Sequence, residues 1–504
     1  MTAMDRAAAT RTPADAWTVA AVLLALAAMA FQAFMPTKDD ISWLITNAEA
    51  LLDGKELYKD IIETNPPLSV LLYLPAVLVE RLVGVRAELA SIVFTGVIGL
   101  AIARMARRRL DAAGVEGGGP LEAAVALVFL VLPVGAYGQK DHVAALIALP
   151  YFIDLVLLAE RKGRMSVAAG VLAGLCVAVK PHFVLAVLFP CFGLTAWVWW
   201  TEGRLSLAPI LNRANVTAAA VAVLFQGLVY LLFPAFFRVV LPIVLEIYVP
   251  AREPLWSLLV TDKGFLFPVL LLIAAFYGSW TKRESILALA GAGFFGAYLL
   301  QAKGWPYHLF PATSYGFLIL AWTVLPNLRK PASRRSPLIA AAMVAVVAAS
   351  HSQWMTVTWL DWSPLTRAIV ATGIDRPKVL NIASSHEVGH PSVRDAGGQW
   401  VGTLSCRWIT VNALISVYLH PDDPAMRARS EAWQARDRDY LFEDIQRAKP
   451  DLILVERLDL LDWMDWARKM PALAAALDDY EVAVDVPGTR ARAAVAVYRR
   501  KAAG

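Results

Sequence analysis

Repeated apolar runs, each of roughly 16 to 20 residues and so close to bilayer-crossing length, fill the chain from Ala16 to Ser352. No water-soluble core needs that repetition. The 504 residues are 58% hydrophobic and 18% charged, where an ordinary soluble domain carries nearer a quarter charged residues. The apolar excess is confined to residues 1–352, whereas residues 353–504 have the composition of a soluble domain. The expected fold is therefore a polytopic α-helical membrane protein with a small C-terminal α/β domain.

Eleven candidate spans can be marked: Trp17–Phe34, Glu88–Ala103, Leu121–Tyr137, Val143–Ala159, Met165–Val179, Phe183–Trp200, Val216–Phe233, Phe265–Trp280, Ser285–Leu300, His308–Leu325 and Pro337–Ser350. The first resembles a signal peptide in length, but it lacks a small-residue cleavage site and is read as a retained span. Four basic loops, Arg104–Arg109, Arg161–Arg164, Lys282-Arg283 and Arg329–Arg335, share one side only if Pro66–Val83 does not cross completely. The positive-inside tendency thus makes that segment an interfacial or partly inserted helix. The first outer loop, 35–87, and the C-terminal domain then face outward. Placed this way, the basic residues are orientation signals, and the net charge of +5 does not point to nucleic acid. Cys176, Cys191 and Cys406 form no disulfide or metal framework.

The first outer loop opens with Asp39 and Asp40, after which Ile41, Leu44, Ile45, Ala48, Leu51 and Leu52 recur at helical spacing up to Gly54. This predicts an amphipathic helix at the outer interface, with Asp39 or Asp40 as its N-cap. Capping accounts for one acidic residue. A second carboxylate at the membrane face is suited to take a proton from an acceptor hydroxyl. Tyr58, Asp60, Glu63 and Asn65-Pro66-Pro67 follow, the prolines ending one element and pre-setting the next.

Cations and histidines gather on the other outer segments: Lys140, His142, Lys180, His182, Arg238, Lys303 and His308. They could neutralise a phosphate through charge-assisted hydrogen bonds. Neither Lys180 nor Lys303 has an acidic residue near it in sequence. Snorkelling to the interface is an alternative use for Lys180, but the segment Gln301–His308, dense in aromatic, His and Lys residues, reads as a site.

In feature order, residues from about Ala16 to Ser350 resemble the lipid-phosphate-dependent glycosyltransferases of the GT-C superfamily, notably lipid A aminoarabinose transferases and protein O-mannosyltransferases. Asp39-Asp40 resembles the family's acidic pair after the first span, with Asp in place of the usual Glu at the second position. The resemblance implies Asp39 as catalytic base and Asp40 as its neighbour or substitute. Asn65-Pro66-Pro67-Leu68 resembles the family's polar-Pro-Pro motif near the donor. Asp141 falls where the family has a second outer acidic residue. Lys180-Pro181 and Lys303-Gly304-Trp305-Pro306-Tyr307 resemble its later lysine and its Lys-Gly-x-x-x-Tyr loop, although Tyr307 comes one residue early.

These matches imply Lys180, Lys303, Lys140 and Arg238 at the donor phosphate, and Asn65, Asp141, His142, His182, Tyr307 and His308 at the substrates. The implied partners are a polyprenyl-phosphate-linked sugar, a glycan or lipid acceptor and the bilayer; the implied location is the bacterial inner membrane with the C-terminal domain periplasmic. The reaction expected is direct displacement with inversion. No nucleotide fingerprint is present, Gly117-Gly118-Gly119 reads as a flexible linker, and a divalent cation is left open as the one cofactor.

In the C-terminal domain Val379–Ala383, Leu452–Glu456, Glu481–Val486 and Ala493–Arg499 read as strands and Tyr440–Ala448 as a helix, so that an α/β layer is expected. His386-Glu387-x-x-His390 has zinc-protease spacing, but Gly389 and Pro391 argue against the helix that motif needs. A transporter or flippase of a lipid-linked sugar is the competing reading, although no inverted repeat of broken helices supports it.

Overall fold

The computed structural model describes residues 13–277, 280–324, 363–489 and 492–502. The candidate span Pro337–Ser350, the basic run Arg329–Arg335 and the 352/353 boundary lie outside them. Contacts divide the chain into two compact units. One comprises residues 1–35, 89–227 and 253–358; the other comprises 36–88, 228–252 and 359–504. The first outer loop, expected to belong with the spans, thus clusters with the C-terminal residues.

The first unit is a helical bundle. Among the described residues six helices are long and apolar enough to cross a membrane: Ala16–Phe34, Ala87–Ala112, Lys140–Ala159, Pro181–Glu202, Arg213–Leu232 and Lys282–Gln301. Shorter apolar helices include Gly118–Val131, Val167–Val179 and Leu266–Phe276. Arg213–Leu232 leaves Val216, Val223, Leu224, Leu231 and Leu232 exposed, an apolar face suited to lipid, not water. Lys140–Ala159 is instead almost wholly buried. It packs against Val167–Val179, Lys282–Gln301 and the helix Pro306–Val324, and so forms the centre of the bundle.

Two expectations for the basic loops and linkers need correction. Arg104–Arg109 is no loop, because the helix continues through it to Ala112. Glu122, buried inside an apolar run, takes Arg104 at 3.2 Å and Arg107 at 2.5 Å, and Asp154 takes Arg109 at 2.6 Å. These ion pairs give the arginines helical partners that a loop would lack. Gly117–Gly119 is no flexible linker either. The helix Gly118–Ala126 begins there, and a Cβ on Gly119 would come within 2.6 Å of Trp17.

In the second unit Asp39–Leu52 is a helix that buries Ile41, Leu44, Ile45 and Ala48 but also Ser42, Thr46 and Asn47, whereas Leu52 is exposed, so it is not the two-faced helix expected. After Pro66-Pro67 the chain forms two helices, Leu68–Leu71 and Leu74–Val83, the second ending at Gly84 in the left-handed region, φ +79°. Ten residues of helix rise about 15 Å, half of the hydrocarbon thickness. That length suits an interfacial segment.

The C-terminal residues carry a five-stranded sheet: β1 Lys378–Ile382, β2 Gln399–Trp400, β3 Leu452–Arg457, β4 Tyr480–Val486 and β5 Ala494–Arg500. The order is β2-β1-β3-β5-β4, with β1 parallel to β2 and β3, and β5 antiparallel to β3 and β4. The predicted helix Tyr440–Ala448 is the end of a longer one, Pro424–Ala448. Its Leu441 and Ile445 join Leu380, Ile382, Ile453, Val455, Trp463 and Trp466 in one core. The helix Trp408–Leu419 packs on residues 244–248, where Ser416 Oγ donates to Ile247 O at 3.1 Å.

Candidate functional site

Sequence-predicted site residues fall into two clusters, one in each unit. In the bundle, the central helix starts at Lys140, and Asp141 lies in its first turn, where the helix dipole favours a carboxylate. The neighbouring helix Val167–Val179 stops at Lys180 because Pro181 follows. A residue before proline is driven to extended backbone, and Lys180 has φ −145° and ψ 117°. A third helix ends at Gln301, and Ala302 turns the chain at φ +49°, followed by Gly304 at φ +67°. His308 lies in the first turn of the fourth helix, Pro306–Val324. Four helix ends thus meet on one polar group.

That group is the Lys180 ammonium. Its three N–H bonds match three partners: Asp141 Oδ1 at 2.9 Å, Gln301 Oε1 at 2.9 Å and His308 Nε2 at 3.0 Å. Lys180 and Asp141 are both buried. Lys180 is therefore neither a snorkelling anchor nor remote from acid, since Asp141 reaches it across the bundle. With Nε2 accepting from Lys180, His308 is the Nδ1–H tautomer, and that buried Nδ1 has no hydrogen-bond partner among the described residues.

Tyr307 presents its ring to Lys140 Nζ at 5.3 Å and to Lys180 Nζ at 5.6 Å. Lys303 is buried in the connecting turn and, with Lys140 and His182, lies close enough to act electrostatically on His308. Lys140, Lys180 and Lys303 thus gather at the same helix ends as Asp141. Gly304 is required here twice over, by its positive φ and because a Cβ would come within 2.2 Å of Asp262 Oδ2.

His142 has a different place. Its Nδ1 accepts from Gly138 N–H at 3.0 Å and its Nε2 donates to Phe129 O at 2.6 Å, so both nitrogens fix the helix start. A substrate-binding role has no free atom to use. His182 is partly exposed, and Arg238 is exposed on a π-helical turn of the other unit.

The second cluster surrounds Asp39. The expected N-cap is corrected: Lys38 occupies that position without a side-chain cap, and Asp39 and Asp40 form the first turn. Asp39 does not cap because both its oxygens are taken by cations. Lys38 Nζ lies 2.7 Å from Oδ1 and His386 Nε2 lies 2.6 Å from Oδ2. Burial opposes the charged carboxylate, but Lys38 and His386 outweigh it and hold Asp39 well below the usual carboxylate range. Burial likewise opposes the imidazolium, but Asp39 lifts His386 well above an ordinary histidine. Glu387 reaches Lys38 at 3.6 Å, and burial beside Asp39 raises its pKa.

Asn65 is engaged through Glu63, whose Oε1 accepts from its backbone N–H at 2.9 Å and from its side-chain amide at 2.5 Å. Glu63 Oε2 in turn accepts from Trp43 Nε1 at 2.6 Å. Trp43 stacks edgewise on His390 at 5.2 Å, and His390 lies 4.6 Å from Trp400. His386, Glu387 and His390 occupy a turn, not a helix; His386 and Glu387 join the Lys38–Asp39 network, and neither ring nitrogen of His390 has a hydrogen-bond partner among the described residues. Among the described residues no group of three or more His, Cys, Asp or Glu side chains is placed to hold a metal ion.

Sequence reasoning missed Lys38, His386, Glu387 and Gln301. The signal was the polar run His386-Glu387-x-x-His390, whose zinc-protease spacing, discounted for Gly389 and Pro391, is left without another use.

No protein-family model matches this sequence, and no curated protein matches it. Its fold is similar to ArnT from Cupriavidus metallidurans. The structure of that protein bound to undecaprenyl phosphate shares 15% identity at a TM-score of 0.53, covering 96% of this chain and 98% of the other. The apo structure shares 14% at a TM-score of 0.52 with the same coverage. At these identities the likeness establishes the fold.

Proposed function

We propose that this chain is a membrane glycosyltransferase that moves a sugar from a polyprenyl-phosphate donor to an extracytoplasmic glycan or lipid acceptor. The observation that carries the reading is the buried lysine cluster at four helix ends, in a chain with the fold of ArnT, a protein whose crystal structure holds undecaprenyl phosphate. A phosphate there would meet Lys140, Lys180 and Lys303 beside Asp141. Because Lys180 already has three partners, an incoming oxygen would replace Gln301 or His308, and His308 Nδ1–H is an unused donor. Arg238 is assigned to the donor phosphate, and Asn65, His182 and Tyr307 to the substrates.

Asp39 is the proposed base. It would take the acceptor hydroxyl proton as the acceptor oxygen bonds to the anomeric carbon. The bond from that carbon to the phosphate oxygen breaks with its electron pair, giving inversion and polyprenyl phosphate. Asp40 is its neighbour or substitute. The C-terminal residues and the outer loop would face the periplasm of an inner membrane.

The test is transfer by purified protein in detergent from a panel of undecaprenyl-phosphate monosaccharides, read by mass spectrometry together with envelope glycans and lipids from cells with and without the protein. Donor-dependent product is expected. Movement of a lipid-linked sugar across liposomes without any product would replace this reading with a transporter.

A further inference from the structure

Residues 384–395 form a built seat over the first turn of the Asp39 helix. Ser384 N–H donates to Glu456 Oε2 on β3 at 2.6 Å, and Asn381 on β1 donates to Val388 O at 2.5 Å. Backbone bonds from Val388 to Ser385 and from His390 to His386 close the turn. Four residues beyond it, Arg394 is held by three carboxylates of the juxtamembrane segment: Glu88 at 2.8 Å, Glu80 at 3.4 Å, and Glu49. Arg86 adds Asp395 at 2.6 Å. His386 therefore meets Asp39 from a turn fixed at both ends, not from a mobile surface.

From this juxtaposition we infer that His386 is a positioning residue for Asp39, contributed from the far end of the chain to orient the carboxylate and keep it ionised for the acceptor. The inference rests on the glycosyltransferase reading. With Oδ1 facing Lys38 and Oδ2 facing His386, the carboxylate plane is fixed, and the lone pairs that the cations do not use remain for an acceptor O–H. The groups that bear on this pair are Lys38 and Asp40 beside Asp39, Glu387 and His390 on the turn, and Cys406 on the other side of the imidazole.

The sign of the pH effect follows. Asp39 acts as base only when ionised, so turnover rises with pH through its pKa, and loss of the imidazolium moves that acidic limb to higher pH. As His386 loses its own proton, well above the ordinary histidine range, the wild type loses the positioning cation and gains an alkaline limb.

The experiment compares the full-length wild type with His386→Phe, His386→Gln and Asp39→Asn, measuring kcat, donor KM and the pH profile with the polyprenyl-phosphate sugar that supports transfer. His386→Phe should lower kcat about 10- to 100-fold, the scale of a misplaced catalytic group, at unchanged donor KM. Its acidic limb should move up and its alkaline limb disappear. His386→Gln, which keeps a donor without the charge, should recover part of kcat but not the alkaline limb. If the Phe variant fails to fold, judged by thermal unfolding, the Gln variant decides. Wild-type kcat and pH profile in the folded His386 variants, with Asp39→Asn inactive, overturn this inference alone. An active Asp39→Asn overturns the base assignment beneath it.

Discussion

The lysine cluster of the bundle and the aspartate cluster of the second unit are both buried ion-pair sites, but they are built oppositely. In the first, one carboxylate holds a lysine amid further lysines. In the second, one carboxylate faces a cation at each of its oxygens, with Glu387 close by. Each lysine-cluster residue sits at a helix end punctuated by its own neighbours in sequence, such as Pro181 or Gly304. The aspartate cluster joins residues more than 300 positions apart. On the proposed reading the first meets the donor phosphate and the second holds the base. A ligand anion should sharpen one and be repelled by little at the other, so the two respond to different perturbations.

The largest effect expected is on turnover at the aspartate cluster. Asp39→Asn removes the base while keeping size, and transfer should fall about 10²- to 10⁴-fold with donor binding retained. Asp40→Asn should be milder, and neither change should cost cap energy, because neither side chain caps the helix. A fully active Asp39→Asn with an inactive Asp40→Asn would shift the base by one residue. Two active variants would remove the acidic pair from the chemistry.

Next in size is the cost of breaking the buried pair in the bundle. Lys180→Met leaves Asp141 charged and unpaired in the helical core, a loss of about 3–5 kcal/mol, read as thermal unfolding in detergent. Asp141→Asn placed on top of Lys180→Met removes the orphan charge and should restore much of that stability. A single variant as stable as wild type would mean that water reaches Asp141 and the cluster is open. Because stability and donor binding are entangled at Lys180, that residue is a poor probe of the phosphate.

How far the sequence foresaw these two regions follows from the same contrast. Apolar run length foresaw a helical bundle, but of the eleven expected spans only six reach span length among the described residues; the short helix Leu74–Val83 accords with the interfacial segment expected there. Lys140, Asp141, Lys180, Lys303, Tyr307 and His308 could be nominated because each stands where a span ends. Their mutual arrangement could not, since nothing local tells that the ends of Val167–Val179 and Lys282–Gln301 meet the starts of two other helices. Asp39 was legible, but His386 was not, because it sits in a segment whose spacing resembles a different motif. The helix Pro424–Ala448 was only partly legible for a related reason. Its acidic residues Asp437 and Asp444 face inward, Asp437 accepting from Thr410 N–H at 3.0 Å and Asp444 from Thr403 N–H at 2.7 Å, so its buried side is not apolar. The basic run Arg104–Arg109 was misread as a loop because its partners, Glu122 and Asp154, hide within apolar runs.

Lys303 is the cleaner probe of the proposed phosphate site, because it is carried by a turn, not by the Lys180–Asp141 pair. Lys303→Met should weaken binding of polyprenyl phosphate by about 1.5–3 kcal/mol, the scale of a hydrogen bond to a charged group, with kcat at saturating donor little changed. Titration of binding against ionic strength should show a shallower salt dependence in the variant. Unchanged affinity would take Lys303 out of the phosphate site.

The smallest effect separates the position of Lys180 from the stability of the helix that delivers it. Ser166 caps that helix, its Oγ accepting from Ala169 N–H at 3.2 Å, at the end opposite to Lys180. Ser166→Ala should cost about 1 kcal/mol of stability. It should leave donor affinity unaltered, because Lys180 is placed by the extended backbone before Pro181 and by its three side-chain partners, none of which depends on the cap. If donor affinity falls in step with stability, the helix Val167–Val179 moves as a body when its start frays, and the lysine cluster is coupled through the bundle. If affinity holds, the cluster is a local assembly of helix ends, and the contrast with the long-range seat of Asp39 stands.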